Sequence, residues 1–316
     1  MVHPNPEAGN TMNNASYAEQ YIRLPPPDAG MPDLSGFPVG CVDTGTGHPV
    51  LMLHCSGSDH RHWDRVIAAW GGLDAMPRRF LRPELFGCGQ TARWPGSRPM
   101  TLLDQARLAA TAIAGLDRPV DLVGHSFGGA VALKLALSMP ERIRSLTLIE
   151  PAACFLLVQE GAHEDRLFSE IAGLGQAMRH GAMTGTPRAR QDAMGRFVDY
   201  WNGTGKWKSL APAARQAMAD MTDVVAAEFV ALLTESTRLT DCRGLAIPTL
   251  LVFGDRSPEA VRHIAQRLAA AIPGARHACI REAGHMLPLS HAAELAALIL
   301  GGPAAIKQPD SSVLEL

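Results

Sequence analysis

The chain has 316 residues, 47% of them apolar and 19% charged, with a formal net charge of -2. That balance suits a globular protein with room for a full α/β core and an insertion, and it supplies no basic surface for nucleic acid. No apolar run approaches the ~18 residues of a membrane-spanning helix, and a cationic, apolar secretory signal is not visible, so no membrane partner and a cytoplasmic location are expected.

Residues 1–36 are rich in Pro, Asn, Gly and Ala, with Pro25-Pro26-Pro27, and read as an N-terminal extension rather than a domain. Strand and helix signals then alternate, which predicts a mostly parallel sheet flanked by helices. Val50–His54 is a buried-strand run, Trp63–Trp70 is helical, Arg79–Arg82 is a weaker strand, and Leu102–Leu116 carries apolar residues at helical spacing. Val120–Val123 is a further strand, Ala130–Leu137 a helix, and Ile143–Ile149 a strand ending at Glu150-Pro151.

The pattern changes at Pro151. Residues 151–243 show helical periodicities broken by Gly and Pro, without a clear strand, and predict an inserted helical cap. Alternation resumes with a strand at Thr249–Gly254, a helix at Glu259–Ala271, a short strand at Ala278–Ile280 and a helix at Ala292–Leu300. The expected organisation is therefore a core of 37–150 and 244–301, a cap of 151–243 and a C-terminal tail of 302–316. No internal repeat is apparent. The six cysteines are scattered, with no Cys-x-x-Cys pair, so reduced thiols are expected and neither a metal nor a cofactor.

Gly124-His125-Ser126-Phe127-Gly128-Gly129 sits between a predicted strand and a predicted helix. A Gly-x-Ser-x-Gly at such a turn is a nucleophile elbow, where tight geometry demands small neighbours and leaves the serine strained and exposed. Three further segments accompany it: His54-Cys55-Ser56-Gly57 after a strand, Glu84-Leu85-Phe86-Gly87-Cys88-Gly89, and Glu282-Ala283-Gly284-His285-Met286 late in the chain. Together, over roughly residues 38–301, they resemble the α/β-hydrolase superfamily, in its capped esterase- and lactonase-like form.

The resemblance implies roles. Ser126 is the expected nucleophile, and a hydroxyl needs a base to take its proton, for which His285 is the candidate. The amides of Phe127 and Ser56 are the expected oxyanion donors. Relatives keep an Asp in the Gly-x-x-Asp loop after the strand that follows the cap, but here that position holds Ser257. Glu150, at the end of the strand after the elbow, is favoured as the acid, since some superfamily members carry a Glu there. Asp255 is the runner-up. His125 is expected to pack or hydrogen-bond beside the elbow, and His54 to shape the oxyanion loop. His60, His62, His163, His180, His263 and His277 read as solvated. Cys55 stands where Gly is usual and reads as a buried filler that thiol reagents reach.

Met178, Met183, Met194, Met218, Met221, Phe197, Tyr200, Trp201, Trp207 and Phe229 predict an apolar pocket under the cap, and Trp201–Trp207, with its glycines, a mobile lid. The expected activity is hydrolysis of a carboxylic ester or lactone of a small apolar molecule through an acyl-enzyme. Carbon–carbon hydrolysis of a ring-cleavage product and perhydrolysis are the enzymatic alternatives. A non-catalytic ligand receptor is the alternative of another class, and a homodimer remains open.

Overall fold

The computed structural model describes residues 37–72, 76–158 and 160–305, so the readings made for 1–36 and for the chain beyond 305 lie outside the described residues. Seven strands form one sheet: β1 (Cys41–Gly45), β2 (His48–Leu53), β3 (Arg78–Pro83), β4 (Val120–His125), β5 (Ile143–Ile149), β6 (Thr249–Gly254) and β7 (Arg276–Ile280), in the order β1-β3-β2-β4-β5-β6-β7. β1 pairs antiparallel with β3 and every other pairing is parallel. β1 had no counterpart in the sequence reading, because Cys41-Val42-Asp43-Thr44-Gly45 is a half-exposed edge strand without a buried apolar run.

The central strands are buried on both faces, and alternation sorts their side chains. Leu51, Leu53, Leu122, Leu148 and Leu251 point into one core with helices α2 (Leu102–Thr111), α3 (Phe127–Ser138) and α10 (Glu259–Ala271). Val50, Met52, Val123, Ile149 and Val252 point into the other, with α1 (Asp64–Gly71) and α12 (Ala292–Ala305). α12 thus continues past Leu300, to Ala305.

Between β5 and β6 the chain forms α4 (Ala162–Thr184), α5 (Pro187–Asn202), α6 (Lys206–Ser209), α7 (Pro212–Asp220), α8 (Thr222–Leu233) and α9 (Leu239–Cys242), and no strand among the described residues. α11 (Leu287–Ser290) lies just before α12. This insertion shares the first core: Leu167, Ile171, Met178, Met194 and Phe229 join the cluster of α2 and α3, while Met183 is exposed. Trp201–Trp207 is not a free loop. α5 ends at Asn202, Gly203 and Gly205 turn the chain at φ 101° and 86°, and Asp199 accepts hydrogen bonds from the Gly205 and Trp207 amides at 3.1 and 2.7 Å.

Candidate active site

Ser126 caps α3 with φ 54° and ψ -118°, outside the helical and extended wells. Two glycines make the turn possible by close approach. A β-carbon on Gly124 would lie 2.3 Å from the Gly128 carbonyl oxygen, and one on Gly128 would lie 2.3 Å from that of Leu53. Hydrogen bonds then fix the residue: its N–H donates to the Ile149 carbonyl (3.0 Å), and its carbonyl accepts from Ala152 N (2.9 Å). Such a backbone costs roughly 1–3 kcal/mol. One buried leucine contributes a similar amount, and the sheet supplies many.

β5 and β7 bring the partners. Glu150 follows β5 at φ 43° and is fully buried. Its Oε2 lies 2.6 Å from His285 Nδ1, and His285 Nε2 lies 3.0 Å from Ser126 Oγ. With Nδ1–H donating to the carboxylate, the Nε2 lone pair faces the serine hydroxyl. Glu150 Oε1 accepts from the Gly254 amide (2.8 Å) and from the Ser257 hydroxyl. A buried carboxylate is tolerable only when paired and hydrogen-bonded, and here both oxygens are. Asp255 is exposed, and among the described residues only its backbone amide is engaged, with the Ile280 carbonyl (3.2 Å). Of the two candidate acids, the structure brings Glu150 to His285 and leaves Asp255 outside.

The Phe127 amide opens α3 and has no acceptor within the helix. Ser56 lies in the loop after β2, and His54 ties that loop down. His54 Nδ1–H donates to the Cys55 carbonyl (2.8 Å), leaving Nε2 to accept from Leu85 N (3.1 Å). Burial lowers its pKa, which suits an acceptor nitrogen. Glu84, of the loop after β3, accepts from His60 (2.6 Å) and from the Gln90 amide (2.5 Å).

Several histidines read as solvated hold protein partners. His60, His163 and His263 pair with Glu84, Glu259 and Glu164 at 2.6, 3.0 and 2.9 Å, with His163 still exposed to solvent. His62 is buried because its neighbour Trp63 is drawn wholly into the core. Its Nε2 lies 3.0 Å from His125 Nδ1, and His125 Nε2 lies 2.8 Å from the His285 carbonyl oxygen. That carbonyl can only accept, so the chain of tautomers is set. His125 Nε2–H donates to it, His62 Nε2–H donates to His125, and His62 Nδ1 faces Cys55 Sγ at 3.7 Å. Burial holds both rings neutral, pulling His62 down to about 3 and His125 well below its ordinary value. The sulfur and two nitrogens lie within 4.8 Å of one another, a donor set suited to zinc, but each nitrogen already has a hydrogen-bond partner. Cys55 is buried with its thiol pushed up to about 12, so thiol reagents find little thiolate there.

Trp201 of α5 covers the base. Its ring stacks on His285 at 4.5 Å and 26°, and the His125 ring, tilted by 41°, lies 4.9 Å from the same imidazole. Beside this stack lies a groove of about 570 Å³, lined by Tyr200, Trp201 and Lys206 from the insertion and by Arg256, Glu259 and Met286 from the core. Its charged rim corrects the expectation of a purely apolar pocket.

The Alpha/beta hydrolase family model matches residues 50–298, which span the elbow, the Glu150 strand end and His285. The chain belongs to the alpha/beta hydrolase family. It is an enzyme of that family. It is 33% identical over 128 residues to a 2-hydroxymuconate semialdehyde hydrolase of Pseudomonas sp. (strain CF600), an alignment covering 40% of this chain and 44% of that relative. A protein of the same description from Pseudomonas putida is 27% identical over 273 residues, 84% of this chain and 90% of the relative. Among solved structures, a thermophilic esterase from Thermogutta terrifontis superposes with a TM-score of 0.60 at 22% identity, covering 83% of this chain and 91% of the other. No helix among the described residues is long and apolar enough to cross a membrane.

Proposed function

We propose that this hydrolase cleaves a carboxylic ester or lactone of a small, largely apolar molecule through an acyl-enzyme on Ser126. One observation carries the reading: the hydrogen-bonded order Ser126–His285–Glu150, ending at a serine on a strained elbow. His285 takes the hydroxyl proton as Ser126 attacks the carbonyl carbon, and the buried Glu150 carboxylate steadies the imidazolium. The Phe127 and Ser56 amides hold the oxyanion. His285 then protonates the leaving alcohol, and water, activated by the same base, releases the acid. A serine at the elbow gives an acyl intermediate, which suits esters and lactones. The insertion acts as the cap, and the groove beside Trp201 as the passage to the serine.

A second reading is hydrolysis of a carbon–carbon bond in a ring-cleavage product. It is favoured by the curated relatives, whose descriptions name such dienoate and semialdehyde hydrolases.

A fluorophosphonate probe is expected to label Ser126 in the wild type and not in Ser126→Ala. A panel of nitrophenyl esters, lactones and 2-hydroxy-6-oxodienoates then separates the readings by kcat/KM. Absence of both labelling and ester turnover in folded protein would falsify the proposal.

A further inference from the structure

One buried carboxyl has no place in this relay. Glu228, on α8, is 1% exposed, and neither of its oxygens makes a hydrogen bond of normal geometry among the described residues. The Ser56 hydroxyl and the Gly57 amide, on the loop that carries one expected oxyanion donor, are turned toward it and favour its anion. The helix is pressed onto that loop. Met221, Val225 and Glu228 share one stripe at helical spacing, and a β-carbon on Gly57 would lie 3.3 Å from Val225 and 3.9 Å from Met221. The carboxyl is therefore held against the Ser56–Gly57 loop by a helix, not by a side chain on a loop.

Buried polar groups are nearly always paired, and each exception calls for a physical reason. Cys55 and Cys88 lie close enough to feel its charge, and neither supplies a positive partner. Burial pushes the Glu228 carboxyl up to about 8, against the pull of Ser56 and Gly57 toward the anion. At neutral pH it is mostly the protonated acid, which both donates and accepts.

We propose that Glu228 is a specificity-determining residue that hydrogen-bonds a hydroxyl group carried by an uncharged acyl substrate near its scissile carbonyl. This rests on the reading of Ser126 as nucleophile and Ser56 as oxyanion donor. An uncharged hydroxyl suits a protonated carboxyl, because it accepts one hydrogen bond and donates another without importing a charge into a dry site. A substrate lacking that hydroxyl leaves the buried acid unpaired in the bound complex, and so binds the transition state less well.

The test compares p-nitrophenyl butyrate with its 2-hydroxy and 3-hydroxy analogues on wild type, Glu228→Met and Glu228→Gln. Wild type is expected to favour at least one hydroxy ester by about 10- to 100-fold in kcat/KM. Glu228→Met is expected to bring that ratio near one. Glu228→Gln keeps the shape and part of the hydrogen bonding, so its ratio is expected to fall severalfold, and it serves alone if the Met variant does not fold. No preference in the wild type, or a preference unchanged in the variants, overturns the proposal. Fluorophosphonate labelling of Ser126 in the same preparations keeps the outcomes apart: an unlabelled wild type overturns the underlying reading, whereas labelling without a hydroxyl preference overturns only the role of Glu228.

Discussion

Glu150 leaves β5 with a positive φ, and its carboxylate is held by His285, the Gly254 amide and the Ser257 hydroxyl. Ser257 is the member of this group that can be removed most cleanly. A hydrogen bond to a charged group contributes about 1.5–3 kcal/mol, and only part of that reaches the transition state. Ser257→Ala is accordingly expected to lower kcat by roughly 3- to 30-fold with little change in KM. An unchanged kcat would show that Ser257 is mere filler. Glu228 makes a different prediction, because its folded pKa lies above the unfolded value. The folded state then holds the proton more tightly, so stability falls as pH rises from about 4.5 to about 8. Glu228→Gln removes that loss, and its stability relative to wild type is expected to rise by a few kcal/mol between pH 5 and pH 8.5 in urea melts. A pH-independent difference would contradict it. Ser257 shows how far residue-scale reading reaches. The sequence exposes the missing aspartate, since a hydroxyl cannot carry its charge, but that Ser257 binds the replacement acid emerges only when β5 and β6 lie side by side. The burial of His62 escapes the sequence for a related reason: spacing says nothing about which ring the core will pull in with Trp63.

The elements differ in how openly the sequence shows them. β4, β5 and β6 are buried on both faces and written as apolar runs, so pattern alone places them. β1 at the edge has no such run, and α4 and α5 of the insertion end at glycines of positive φ, Gly185 and Gly203, whose bounds periodicity alone does not fix. The elbow joins β4 to α3 at two sites of backbone contact. Because the Gly128 β-carbon would meet a carbonyl rather than a pliable side chain, Gly128→Ala is expected to cost at least about 2–3 kcal/mol in thermal or urea unfolding, and to abolish turnover. Near-neutral stability would show that the turn yields to a methyl group. α5 reaches the site through Trp201. Stacking of an aromatic on the base contributes about 0.5–1.5 kcal/mol, so Trp201→Ala is expected to lower kcat by roughly 2- to 10-fold. A change confined to KM would assign the indole to substrate contact alone.

At the scale of the molecule, the sheet order explains why the acid can change strands. β5 and β6 are adjacent and parallel, with Ile149 level with Val252, so their carboxyl ends open onto the same imidazole. Glu150, at the end of β5, reaches His285, whereas Asp255, directly after β6, stays exposed. The proposed mechanism makes hydrolysis at Ser126 depend on Glu150 and not on Asp255, and the two variants Glu150→Gln and Asp255→Asn test that dependence in one experiment. Measured as kcat on p-nitrophenyl butyrate at neutral pH, Glu150→Gln is expected to lose about 10⁴-fold, as when a triad acid becomes an amide, while Asp255→Asn stays within about threefold of wild type. A large loss in Asp255→Asn with Glu150→Gln near wild type would contradict the account.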